Sequence, residues 1–125
     1  MSKHVLIVDD SPEVRLSLKE LLSSEQIFVH SASDGVEGLE ATRDRCYDLV
    51  ICDVNMPNMN GLEMLQEMRT QSLNIETPTF VLTTESLKNH LDTYQAIKAQ
   101  TWIVKPYNPQ RLQEVVQLTL NNASL

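Results

Sequence analysis

Residues 49–61 read LVICDVNMPNMNG. An apolar run, Leu49 to Cys52, halts at Asp53, and Asn, Met, Pro and Gly crowd the positions that follow. A short apolar run bounded by turn residues predicts a buried strand that delivers one carboxylate to a loop at its C-terminal end. A carboxylate so placed is a candidate nucleophile, and the other strand ends decide what it can attack.

The same grammar repeats on both sides. Val5 to Val8 run into Asp9-Asp10. Ser11-Pro12-Glu13 then opens a helix with an N-cap, a proline at the first helical position and an acid in the first turn. Val14, Leu18, Leu21 and Leu22 keep helical spacing. Ile27 to Val29 is a second strand, and Asp34-Gly35 leads into a weaker helix carrying Val36, Leu39 and Thr42, ending near Arg45. A third helix starts near Leu62, with Leu62, Leu65 and Met68 inward. Thr79 to Leu82 is a fourth strand ending at Thr83-Thr84-Glu85, and Leu87, Leu91 and Tyr94 mark a fourth helix. Trp102 to Val104 is a fifth strand, stopped by Lys105-Pro106. Asn108-Pro109 caps a last helix with Leu112, Val115, Val116 and Thr119. Continuous apolar strands alternating with amphipathic helices predict an α/β fold, a parallel sheet covered by helices on both faces. Residues 1–125 are expected to form one domain and one complete unit, without linker or repeat.

Composition narrows the partners. A net charge of -7 argues against direct electrostatic binding to nucleic acid or to an anionic membrane. Cys46 and Cys52 have no metal-site or disulfide spacing, and Cys52 is expected in the core. The N-terminus carries only a four-residue apolar run before two aspartates, too short for a signal peptide or a span, so a cytoplasmic location is expected. His4, His30 and His90 are scattered, each expected to be solvated or structural.

In open α/β sheets, ligands bind beyond the C-terminal ends of the strands. Asp9 and Asp10 follow the first strand, Asp53 the third, Thr83 the fourth and Lys105 the fifth. Singly, each has an ordinary reading as a turn, a cap or a solvated side chain. Together they place carboxylates, a hydroxyl and an ammonium on one edge. Carboxylates so close stay ionised together only around a cation. An all-oxygen site suits Mg2+, or the similar Mn2+, at Asp9, Asp10 and Asp53, leaving one Asp53 oxygen free to attack phosphorus. Lys105 and Thr83 would hold phosphoryl oxygens. The product would be a labile acyl phosphate, suited to a timed signal.

At this point the chain resembles the receiver domain of two-component response regulators, over essentially its whole length. The marks are the acidic pair of VDDSP, Asp53 in DVNMPNMNG, the threonine of VLTTE and the Lys-Pro of WIVKPY. The resemblance implies a flavodoxin-like doubly wound (βα)5 fold with strand order 2-1-3-4-5. It implies that Asp53 takes a phosphoryl group from a sensor histidine kinase or a histidine phosphotransfer domain. Asp10 and Asp53 would ligate Mg2+ with the Asn55 carbonyl, Asp9 acting through water. Asn55 and Glu85 fall where the family tunes acyl phosphate lifetime, and with NMPNMNG they are most similar to stand-alone chemotaxis-type receivers. Trp102 falls at the aromatic switch position, usually Tyr or Phe, coupled to Thr83. The output, an unidentified protein partner, would bind the face of the fourth helix, fifth strand and fifth helix.

Two departures stand out. Lys98 occupies a position where the family often has a glycine able to take positive φ, so a turn of different build is expected. Thr84 stands where a smaller residue is common, and its bulk is expected to slow access of a phosphatase or small phosphodonor. Three readings remain: a stand-alone switch, a phosphorelay shuttle or receiver portion of a longer regulator, and a phosphatase with an aspartate nucleophile. The last would need a second acid two residues after Asp53, where Asn55 stands.

Overall fold

The computed structural model describes residues 2–122. Its strands are β1 (Lys3–Val8), β2 (Ile27–Ala32), β3 (Leu49–Cys52), β4 (Thr79–Thr83) and β5 (Thr101–Val104). Its helices are α1 (Pro12–Leu22), α2 (Gly35–Asp44), α3 (Gly61–Gln71), α4 (Leu91–Ile97) and α5 (Pro109–Asn122). All strand pairs are parallel, in the order β2-β1-β3-β4-β5. This is the expected doubly wound sheet.

Alternation along the strands builds two cores. Leu6, Val8, Val50, Cys52 and Val81 point to one face, where Leu39 of α2, Leu62, Leu65 and Met68 of α3, and Ile97 of α4 cover them. Val5, Ile7, Leu49, Ile51, Phe80 and Leu82 point to the other, under Leu18 and Leu22 of α1 and Leu112, Val116 and Leu120 of α5. Every residue of β3 and β4 is buried, which is why their sequences lack polar alternation. Edge strand β2 runs on through His30 and Ser31 to pair with β1 as far as Ala32, because an edge strand need not be apolar to stay paired.

Some expectations fail. Val36 is 41% exposed. Gly38 takes the inward position on α2, where a Cβ would come within 2.8 Å of Met64 Sδ and 3.0 Å of Val8, so the helix sits closer to the sheet than any side chain allows. Val115 lies at the rim of its helix, 37% exposed. The expected fourth helix is broken. A 3-10 turn, Leu87–Asn89, is capped by the Ser86 hydroxyl, and α4 starts only at Leu91, which is 49% exposed. His90 interrupts the two with φ -136°, ψ 22°, outside the helical region, and only Ile97 of α4 is buried. Leucines at helical spacing therefore mark no buried face here.

The turn after α4 also differs from expectation. Lys98 adopts the left-handed conformation itself, φ 55°, at a cost of about 1 kcal/mol. The half-buried Arg69 guanidinium fastens that turn, donating to the carbonyls of Ile97 (2.7 Å) and Lys98 (3.5 Å), and also to Thr77 O and Thr79 Oγ1. Nearby, Asn74 is 1% exposed with its amide fully used: Nδ2 donates to Thr42 O and Arg45 O, and Oδ1 accepts from the Tyr47 N–H.

At the opposite end, the β3–α3 loop is clamped on both sides. A Cβ on Gly61 would collide with the Asp53 carbonyl oxygen, while the Gly61 N–H donates to Val54 O at 2.8 Å. A Cβ on Gly35 would strike the Met59 carbonyl. Asn58, at φ 68°, donates through Nδ2 to Asp34 Oδ2 (2.7 Å), and Asp34 caps α2 through its other oxygen. Asn60 and Glu63 close a reciprocal cap on α3. The backbone carrying Asp53 thus rests directly on the first turn of α3. Gly61→Ala is expected to cost about 1–3 kcal/mol, the scale of overpacking. Urea denaturation checks it, and an unchanged midpoint contradicts the close approach.

Candidate functional site

The side chains of Asp9, Asp10, Asp53 and Lys105 converge, and Thr83 is tied to them through its carbonyl, which accepts the Lys105 N–H. Asp9 is 2% exposed; its Oδ1 accepts the Ser11 N–H at 2.9 Å, which fixes the carboxylate plane. Arg15 Nη1 holds the Asp9 carbonyl at 2.7 Å. The Asp53 side chain is 11% exposed, and its Oδ1 accepts the Val54 N–H at 2.6 Å. The free oxygens of both acids face Lys105, whose Nζ lies 2.9 Å from Asp9 Oδ2 and 3.1 Å from Asp53 Oδ2. Asp10 is exposed, yet oxygens of Asp9, Asp10 and Asp53 all lie within 4.8 Å of one another.

Burial alone would lower the Lys105 pKa. The Asp9 hydrogen bond and the Asp53 and Asp9 charges outweigh it, so the pKa is raised and the ammonium persists. The Lys105 N–H donates to Thr83 O at 2.8 Å, and the Lys105–Pro106 peptide is cis. Thr83 is fully buried, its Oγ1 accepting the Glu85 N–H at 3.3 Å. Thr84 is exposed beside Lys105 and lines, with Pro106, Tyr107 and Pro109, a cavity of about 410 Å³. Asn55 is exposed in the loop after Asp53. Cys52, just before Asp53, is fully buried and its thiol is pushed up by burial, then by the Asp53 and Asp9 charges.

Trp102 belongs to a neighbouring cluster. Its Nε1–H donates to Glu85 O at 3.0 Å, and it packs against the core beneath α2, α3 and α4. The His90 ring stacks on the indole, with centroids 5.6 Å apart, and Tyr94 meets it edge-on. His90 Nε2 also lies 2.9 Å from Glu85 Oε1. His90 stands apart from the other two histidines, each of which is also partnered. His4 and His30, brought side by side by the β1–β2 register, form their own pair at 2.9 Å, with Tyr47 edge-on and Arg45 beside it. Burial, then the Arg45 and His4 charges, lower the His30 pKa. Sequence spacing hid both arrangements: one pair needs the strand register, and the other needs the helix break at His90. Arg15 was also missed; at helical spacing it resembles any solvated charge.

Chemically, two carboxylates share one ammonium and a third, Asp10, lies beside them. The local excess of negative charge and the all-oxygen donor set suit a hard divalent cation. Among the described residues no other cluster of potential metal-ligating groups forms.

Comparisons with known proteins agree with this arrangement. A family model for the response regulator receiver domain matches residues 5–117. Hybrid signal transduction histidine kinase D of Dictyostelium discoideum is 35% identical over 108 residues, 86% of this chain and 7% of that protein. The chain spans less than half the length of such curated relatives, 45% in another. Chemotaxis protein CheY4 of Vibrio cholerae superposes with a TM-score of 0.86 at 36% identity, covering 95% of this chain and 99% of that one. TrrA of Thermotoga maritima, solved in complex with Mg2+ and BeF, gives 0.81 at 35% identity, covering 94% and 98%. Since the match runs from the first strand into the last helix, this chain belongs to the response regulator receiver domain family.

Proposed function

We propose that this chain is a phosphoryl-accepting signalling switch in which Asp53 is the phosphoacceptor. The observation that carries the reading is the Lys105 ammonium bonded to both Asp9 and Asp53, with Asp10 alongside. An Asp53 oxygen attacks the phosphorus of a phosphohistidine. A P–O bond forms while the P–N bond breaks, and the imidazole leaves with the electron pair. The donor is a sensor histidine kinase or a histidine phosphotransfer domain. Catalysis is limited to the protein's own phosphorylation and dephosphorylation.

Asp10, Asp53 and the Asn55 carbonyl would hold Mg2+, or Mn2+, with Asp9 acting through water. Bound there, the ion neutralises charge building on the phosphoryl oxygens. TrrA, similar over nearly its whole length, binds Mg2+. Lys105 exchanges a carboxylate oxygen for a phosphoryl oxygen, with no change in charge state. The Thr83 hydroxyl bonds another phosphoryl oxygen, which takes its oxygen away from the Glu85 N–H. Asn55 and Glu85 set how water reaches the acyl phosphate, and Thr84 narrows the approach from the Tyr107 side. Trp102 follows Thr83, and the α4–β5–α5 face carries the altered binding to an output protein.

Location is proposed to be cytoplasmic; no helix of the described residues is long and apolar enough to cross a membrane. A second reading, the receiver portion of a longer regulator or a phosphorelay shuttle, is supported by the greater length of the relatives. It shares the chemistry and differs in the output.

Incubation with Mg2+ and a small acyl phosphate donor should add one phosphoryl group by intact mass, and chelation should prevent it. Asp53→Asn should abolish the addition; full labelling in that variant overturns the assignment. Lys105→Met should bind Mg2+ roughly tenfold more tightly, because a cation within a few ångströms of the site is removed, on the order of 1 kcal/mol. The same variant should lose phosphorylation-dependent output. Calorimetric titration and a partner-binding assay check these, and weaker Mg2+ binding in Lys105→Met would contradict the charge argument.

A further inference from the structure

We propose that His90 is a positioning residue of the switch: its imidazole holds the Glu85 carboxylate and the Trp102 indole in one closed arrangement. The inference rests on the roles just given to Glu85 and Trp102, and deepens them.

Three contacts close a ring, and a fourth flanks it. Glu85 Oε1 bonds His90 Nε2 at 2.9 Å, and the His90 imidazole stacks on Trp102 at an interplanar angle of 23°. The Trp102 N–H returns to the Glu85 carbonyl at 3.0 Å, and Tyr94 of α4 closes the indole from its edge. The Glu85 N–H in turn reaches Thr83 Oγ1. Glu85 therefore joins the phosphoryl-facing hydroxyl to the indole through its backbone, and His90 joins the Glu85 side chain to the same indole. Neither the carboxylate nor the ring can swing away without releasing His90.

The local backbone supports this assignment. Ser11, Asp34 and Asn60 cap their helices with side-chain oxygens. His90 stands at the N-cap of α4 and makes no side-chain cap. Its imidazole is committed to Glu85 and Trp102 instead, and its side chain is only 23% exposed. The groups facing it are Glu85 from the segment after β4 and the uncharged indole from β5.

His90→Phe and His90→Gln separate the two contacts. Phenylalanine keeps the stack and lacks the donor; glutamine keeps a donor and lacks the stack. In unphosphorylated wild type, the stacked Trp102 indole should be shielded from acrylamide quenching. His90→Phe should keep the indole shielded from acrylamide. His90→Gln should expose it about two- to fivefold, the scale of one part-exposed contact. After phosphorylation, His90→Phe should lose the phosphoryl group about two- to fivefold faster, because the freed carboxylate can orient water. His90→Gln should hold it as wild type does. Identical acrylamide quenching in all three proteins would overturn the proposal, as would equal phosphoryl lifetimes. Thermal melting confirms that each variant is folded. If wild type takes up no phosphoryl group, the functional reading fails, and the fluorescence comparison still decides the role of His90.

Discussion

One ammonium between two carboxylates holds the working edge of this protein together. Lys105 leaves the end of β5, yet it bonds Asp9 at the end of β1 and Asp53 at the end of β3, across the intervening strand β4. Without a cation, Asp9, Asp10 and Asp53 would repel within a few ångströms of each other. The lysine alone offsets part of that charge, and a divalent ion beside it would offset the rest. A phosphoryl group on Asp53 adds negative charge where the ammonium already points. On the proposed reading the partner that Lys105 holds would then change, and a backbone bond to Thr83 O ties Lys105 to the strand beside Trp102.

The strands and the acidic edge were legible in the sequence because each depends on local order. A buried parallel strand is a short apolar run, and the residue after it faces the site wherever the run ends. Asp9, Asp10, Asp53, Thr83 and Lys105 are placed by that rule alone. Helix starts at Ser11 and Asn108 were legible for a similar reason, since a cap acts within a few residues. The fourth helix was not. Leu87 and Leu91 have helical spacing, but stability there comes from what covers the segment, and Ile97 alone reaches the core. The left-handed turn at Lys98 was misread because its support, Arg69, lies on α3. Likewise the His4–His30 and His90–Glu85 pairs depend on strand register and on a helix break, neither of which spacing reveals.

The two ends of the sheet divide the labour. Beneath it, Asn74 and Arg69 satisfy backbone carbonyls that no helix or strand pairs, and so fix the loops at the N-terminal edge. Above it, two glycines let loop backbone pack against helix starts, and the one at Gly61 brings the Asp53 carbonyl against α3. Charge is concentrated at the rigid end of β1 and β3. The segment from Thr84 to Leu91, with its 3-10 turn, has no fully buried residue and is held to β5 through the contacts of Glu85 and His90 with Trp102.

The most direct test of the account is reductive trapping. Borohydride reduces an acyl phosphate to an alcohol, so a phosphorylated aspartate becomes homoserine and peptide mass mapping identifies it. After treatment with Mg2+ and a phosphodonor, the account predicts homoserine at position 53 and at no other aspartate. Homoserine at position 9 or 10, or a phosphoryl group that survives the reduction, would contradict it.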